Sequence, residues 1–297
     1  APMLVGRSRG GAVQPRRLKL YAGYGAAVSV SLVFELTLSM GDRFLVAGFL
    51  GEAATGVYAA GYGLANRLIE IVFLWLAMAG APLTIAALEQ DGEAGAKAMA
   101  ARFANLLVLI GVPAATGLAL VAEPLSAVMV GVAFRADAAR IIPWIAAGGL
   151  LNGLMTHYVH DAFILARRPR AMAGCTAAAA VVNVALNLWW MPLFGLIGVA
   201  AATVAAYGFG LGLCAVIGRR FFPLPLPFGA VLRASGAALI MALAVRLCPA
   251  TDHAFLDLIV QAGLGALVYA LAALALNVGD CRAWIGPARA RVLRPAP

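Results

Sequence analysis

Eight apolar runs, each long enough to cross a bilayer, constrain this chain more than any other feature. They lie near residues 22–48, 56–86, 103–123, 141–165, 172–192, 196–218, 229–248 and 255–277. A helix needs roughly 20 apolar residues to span the hydrocarbon core, and the connections between these runs are too short to hold a folded domain. Hydrophobic residues make up 63% of the 297 and charged residues 12%, whereas a soluble domain is about 45–50% apolar and about 25% charged. Lipid must therefore solvate much of the surface. Barrel strands would read as short alternating segments, and none occurs. The expected fold is all-α and polytopic, with about eight transmembrane helices.

Orientation follows from the cations. Seventeen of the 22 Lys and Arg fall before the first run, in or at the edge of every second connection, and in the tail, among them Arg16, Arg17, Lys97, Arg167, Arg168, Arg219 and Arg220. Arg135, Arg140 and Arg246 lie on the other side. The positive-inside rule then puts both termini in the cytoplasm. The net charge of +9 suits anionic lipid headgroups and calls for no nucleic acid. The basic lead is no signal peptide, because the apolar run after it is too long and more runs follow.

Polar residues inside the runs repeat at helical spacings. Ser31, Glu35, Ser39 and Asp42 follow one another at 4, 4 and 3; Tyr62, Asn66 and Glu70 at 4 and 4, beside Arg67; Asn183 and Asn187 at 4. Such spacings set each group on one helical face. Thr203 and Tyr207 mark the sixth run, and the first six runs together imply a shared polar interior. The last two, with Ser235 and Gln261, read as peripheral. The Pro-rich FFPLPLPFG at 221–229 cannot continue a helix. The chain thus divides into a basic lead (1–20), a six-helix lobe (21–220) and an added helix pair with a basic tail (221–297).

Two stretches carry a resemblance. MGDRFLVAGFLGEAATGVYAAGYGLANRL holds Asp42, Gly51, Gly56, Tyr58 and Tyr62, with Pro82 late in the next helix; NVALNLWWMPLFGLIGVAAAT holds Asn183, Asn187, Pro192, Gly195, Gly198 and Ala200. Their order and spacing resemble the second lobe of polysaccharide flippases in the multidrug/oligosaccharidyl-lipid/polysaccharide exporter superfamily. The resemblance covers about residues 20–220. It implies transport of polyprenyl-diphosphate-linked oligosaccharide across a bacterial inner membrane, with membrane lipids and polysaccharide assembly enzymes as partners, and no enzymatic chemistry. Family members have two six-helix lobes, so the resemblance also implies a partial transporter.

Charged groups in mid-span cost at least ~2.5–3.5 kcal/mol on insertion scales, so each needs a reason to be there. Arg67, with Glu70 and Asn66 on its face, reads either as a grip on the lipid diphosphate or as a self-neutralising Arg67–Glu70 pair. A guanidinium suits phosphate because it stays charged and presents a fork of donors; the family's use of cavity arginines supports the first reading by resemblance. Asp42 and Arg43 also join the candidate substrate residues, with anchoring of the helix end as the competing role. Glu35 has no charged partner one turn away and is the candidate coupling carboxylate. His157, His160 and Asp161 lack a fourth ligand at zinc spacing and read as a solvated helix end. No metal, cofactor or catalytic residue is expected. The alternatives are a cation-coupled drug exporter of the same superfamily, against which Arg67 argues, and a membrane enzyme of polysaccharide assembly, whose large external loop is missing.

Overall fold

The computed structural model describes residues 15–249, 251 and 253–283, all helix, turn or short connection with no strand among them. Among the described residues, five helical runs are long and apolar enough to cross a membrane: Met40–Leu120, Val132–Leu165, Pro169–Gly218, Phe228–Arg246 and Ala254–Leu276. Two of these runs contain sharp elbows. Pro15–Leu120 breaks at Gly51 (φ 85°) and Gly92 (φ 69°), and Pro169–Gly218 breaks at Gly195 (φ 57°). These are left-handed backbone positions that glycine adopts without Cβ strain.

Side-chain contacts show that the chain doubles back at each elbow. Tyr58 bonds to Asp42 across 16 residues, a distance of about 24 Å along a straight helix. Gly80 packs on Phe103 across the Gly92 elbow, and Gly210 packs on Ala179 across Gly195. We therefore name the arms α1 (15–50), α2 (52–91), α3 (93–120), α5 (Arg135–Leu154), α7 (169–194), α8 (196–218), α9 (Phe228–Arg246) and α10 (Ala254–Leu276). Two short helices, α4 (Ala122–Met129) and α6 (Asp161–Leu165), complete the order.

One buried core joins α2, α3, α5, α7 and α8 around Tyr58, Phe73, Leu107, Ile141, Ile142 and Met155. A second, smaller core holds the α9–α10 pair against Val108 and Val112 of α3. Alanine is the commonest residue in both, and small residues let backbones approach closely where lipid provides no hydrophobic drive. The 221–227 linker is pinned under the bundle: Tyr158 donates its hydroxyl proton to the Pro225 carbonyl, and Lys97 and Arg168 sit over the Phe222 and Phe221 rings.

Candidate functional site: a buried carboxylate, an open ion pair and an apolar groove

Asp42 on α1 is fully buried. Burial of a carboxylate is costly without hydrogen bonds, and three arms supply them. The Tyr58 hydroxyl of α2 donates to Oδ2 at 3.0 Å, the Thr203 hydroxyl of α8 to Oδ2 at 2.6 Å, and the Asn187 amide of α7 to Oδ1 at 2.8 Å. Asn187 Nδ2 also lies 3.0 Å and 3.2 Å from the backbone and side-chain oxygens of Asn183. Asp42 thus ties two helical hairpins at one point. Arg43 beside it lays its guanidinium over the Tyr62 ring at 5.4 Å, with Nε buried and without a partner.

Donors and acceptors in this cluster do not pair off completely. Thr203 has one hydroxyl proton and two oxygens to serve, Asp42 Oδ2 and the Val199 carbonyl at 3.0 Å. Asn187 Oδ1 is buried with no donor, and Asn183 Nδ2 is buried with no acceptor. Oxygens of this kind around one carboxylate are the donor class that hard cations take. Among the described residues no group of three or more His, Cys, Asp or Glu gathers that could hold a metal ion.

Arg67 and Glu70 stand in contrast on the open face of α2. Arg67 Nη1 meets Glu70 Oε2 at 2.9 Å, yet the side chains are 69% and 51% exposed. Asn66 is half-buried one position before Arg67. The next turn, at Phe73, anchors this face: its ring is buried and seated so close to Gly153 that a Cβ there would fall 2.5 Å from it. His157 stacks on the Phe73 ring, centroids 6.1 Å apart and planes at 15°.

His157 belongs to a π-helical turn, Met155–Val159, that follows α5. The expectation of a solvated helix end fails here: His160 and Asp161 are 5% and 9% exposed, and His160 Nε2 has no partner. Helical spacing misplaced these residues because a π turn inserts one extra residue and rotates everything after it. Glu35 lies on α1, and its side chain is outside the described residues.

An apolar groove of about 760 Å³ runs between the bundle and the α9–α10 pair. Leu68, Ile69 and Val72 of α2, Leu109 and Pro113 of α3, and Met241, Gln261 and Tyr269 of the pair line it. Leu68 follows Arg67 in sequence, but neither Arg67 nor Glu70 lines the groove. The sequence marked Gln261 as the polar residue of α10 but held no sign of a groove, which exists only where α10 docks on α3.

Residues 9–137 match the family described as polysaccharide biosynthesis protein. The structure is similar to the lipid II flippase MurJ in its inward closed conformation, with a TM-score of 0.71 over 89% of this chain and 16% sequence identity. The likeness shows a shared fold. This chain spans about half the length of that flippase, 54%. No curated protein matches the sequence.

Proposed function

We propose that the chain takes part in moving a polyprenyl-diphosphate-linked oligosaccharide across a bacterial inner membrane, with both termini cytoplasmic and eight crossings. The observation that carries this reading is the exposed Arg67 guanidinium on a membrane helix whose next residue, Leu68, lines an apolar groove. A lipid-linked sugar has a diphosphate between a long apolar chain and a polar glycan. The exposed guanidinium answers the diphosphate, and the 760 Å³ apolar groove that starts at Leu68 answers the polyprenyl chain. Asn66 adds a neutral hydrogen-bonding group, and Glu70 holds Arg67 in the resting state. Asp42 and Arg43 act one step back, as the fixed crossing against which the arms move.

Binding tests this directly. The 297-residue chain in nanodiscs should bind undecaprenyl diphosphate, and Arg67→Ala should weaken it about tenfold or more, the loss of charge-assisted hydrogen bonds. Undecaprenol, without the diphosphate, should not distinguish the two. Equal affinity of wild type and Arg67→Ala for the diphosphate sinks the assignment.

The oxygens gathered on the buried Asp42 carboxylate favour a second reading, cation coupling, in which Asp42 with Asn183, Asn187, Thr203 and the Val199 carbonyl holds a small hard cation or a proton. Sodium should then raise the melting temperature of the wild type and not of Asp42→Asn. A rise of equal size in both rejects sodium binding at this point.

A further inference from the structure

The first turns of α4 and α5 share a cleft of about 470 Å³ that the transport reading leaves unused. Glu123 of α4 lines one side; Arg135, Ala136, Ala139 and Arg140 of α5 line the other. Residues four apart on a helix lie one above the other. The α5 side is therefore two neighbouring rows, 135 with 139 and 136 with 140. Alanine at one position of each row leaves the room that the cleft occupies.

The charges in the cleft are held apart. Arg135 Nε donates to the Val130 carbonyl at 2.9 Å, which fixes the guanidinium and leaves its two Nη groups uncommitted among the described residues. Arg140 Nη1 lies 3.8 Å from Asp137 Oδ1, too far for a hydrogen bond, and both side chains are largely exposed. Glu123 is exposed and has no ion pair among the described residues. With Asp137 counted, the two signs balance, so a simple anion gains little here. A ligand that carries both signs gains more: an anion for the guanidinium forks and a cation for Glu123.

The same end of the bundle carries marks of the membrane interface. The row of Ala136 and Arg140 continues one turn on to Trp144, which is exposed. Trp is enriched at headgroup level, and arginine snorkels to it. Met129 ends α4 and Val132 opens the connection to α5; both are exposed apolar side chains that suit acyl chains better than water. A zwitterion at that depth, with hydrocarbon beside it, is a phospholipid headgroup.

We propose that this cleft binds the phosphoethanolamine headgroup of a membrane lipid, its phosphate on Arg135 and Arg140 and its ammonium on Glu123. The site is separate from Arg67 and does not depend on the lipid-diphosphate reading. A primary ammonium donates three hydrogen bonds. The trimethylammonium of phosphatidylcholine donates none, and phosphatidylglycerol brings no cation to Glu123. The cleft therefore selects phosphatidylethanolamine over both.

The test titrates the full chain, delipidated in detergent, with short-chain phosphatidylethanolamine, phosphatidylcholine and phosphatidylglycerol, and reads bound lipid by native mass spectrometry. Wild type should prefer phosphatidylethanolamine by about three- to fivefold, the scale of one exposed ion pair. Glu123→Gln should bind phosphatidylethanolamine more weakly and phosphatidylglycerol more tightly, since it loses an attraction in one case and a repulsion in the other. A merely structural role would weaken both alike. Arg140→Gln should weaken all three. Arg135 is left intact, because its Nε bond holds the connection. Equal affinity of wild type for the three lipids overturns the proposal, and so does a Glu123→Gln protein that keeps the wild-type preference. Free phosphoethanolamine separates the two sources of the headgroup. At the concentration of the lipid it should displace nothing; displacement would assign the cleft to a soluble zwitterion and overturn the lipid assignment.

Discussion

Tyr269 donates its hydroxyl proton to the carbonyl of Leu109 at 2.9 Å, the carbonyl that Pro113 leaves without its helical partner. Proline has no N–H to return to the residue four before it. In hydrocarbon an unsatisfied carbonyl costs several kcal/mol, so α10 satisfies from outside what α3 cannot satisfy itself. Both residues line the groove, and the bond fixes its width at that level.

Tyr269→Phe should therefore destabilise the chain by about 1–3 kcal/mol, the cost of leaving a buried acceptor bare. In a Pro113→Ala background the restored N–H serves Leu109, and the same change should cost much less. Thermal unfolding in detergent of the four proteins checks this. Additive losses would show that the hydroxyl stabilises something other than the Leu109 carbonyl.

Asp42 should prove the most sensitive of the buried polar positions. Asp42→Ala strips an acceptor from Tyr58, Asn187 and Thr203 at once and should cost at least about 3 kcal/mol. Tyr58→Phe removes one donor and should cost about 1 kcal/mol. In the Asp42→Ala background, Tyr58→Phe should cost little or even stabilise, because the two share one interaction. Chemical denaturation reads all three.

The elbows separate space from backbone strain. At Gly195 an added Cβ meets nothing within 4 Å, so Gly195→Ala costs only the strain of its positive-φ backbone, about 1–3 kcal/mol. At Gly153 the backbone is ordinary helix, but a Cβ would lie 2.5 Å from the Phe73 ring. Gly153→Ala should displace Phe73 and cost about 1–3 kcal/mol as overpacking. Thermal unfolding in detergent checks this, and a Gly153→Ala protein as stable as wild type would show that the Phe73 seat gives way freely.

Orientation is open to labelling. In a version without Cys175, Cys214, Cys248 and Cys281, a single cysteine at Arg168 should resist an impermeant thiol reagent in intact cells, and one at Thr251 should react. Both positions are exposed, so burial cannot account for a difference. Labelling at Arg168 without lysis reverses the topology.

Much of the site was legible as faces rather than as contacts. Spacings of four placed Asn183 and Asn187 together, and the structure adds Asp42 and Thr203 to them. Periodicity says which residues share a side of one helix; it does not say which side meets a neighbour. Asp42 and Glu70 are both carboxylates inside apolar runs in the sequence, yet one is sealed by three donors and the other stands 51% exposed. The choice depends on which helices pack there, and that is a tertiary fact. His157 escaped for a local reason, the π turn that breaks the 3.6-residue register on which the reading relied. The Tyr269–Leu109 bond escaped for want of any pattern linking positions 160 apart. The elbows were half visible: Gly51 and Gly195 stand out as glycines at hairpin positions, but only their backbone angles show that the reversal takes place within a single residue.

The Asp42 crossing also sets an order of assembly during synthesis. Its first donor, Tyr58, follows 16 residues later, in the same hairpin; the other two arrive 145 and 161 residues later. At about 5–20 residues per second, the carboxylate waits roughly 7–32 s in or near the bilayer with one partner of three. The first hairpin is thus born incomplete, and the second acts as its closing clasp. Nascent chains arrested before Asn187 should be cleared by membrane proteases faster than chains arrested after Thr203 has entered the bilayer, and Asp42→Leu should erase that difference. Equal clearance of the two arrested wild-type chains would mean that the first hairpin is already secure on its own.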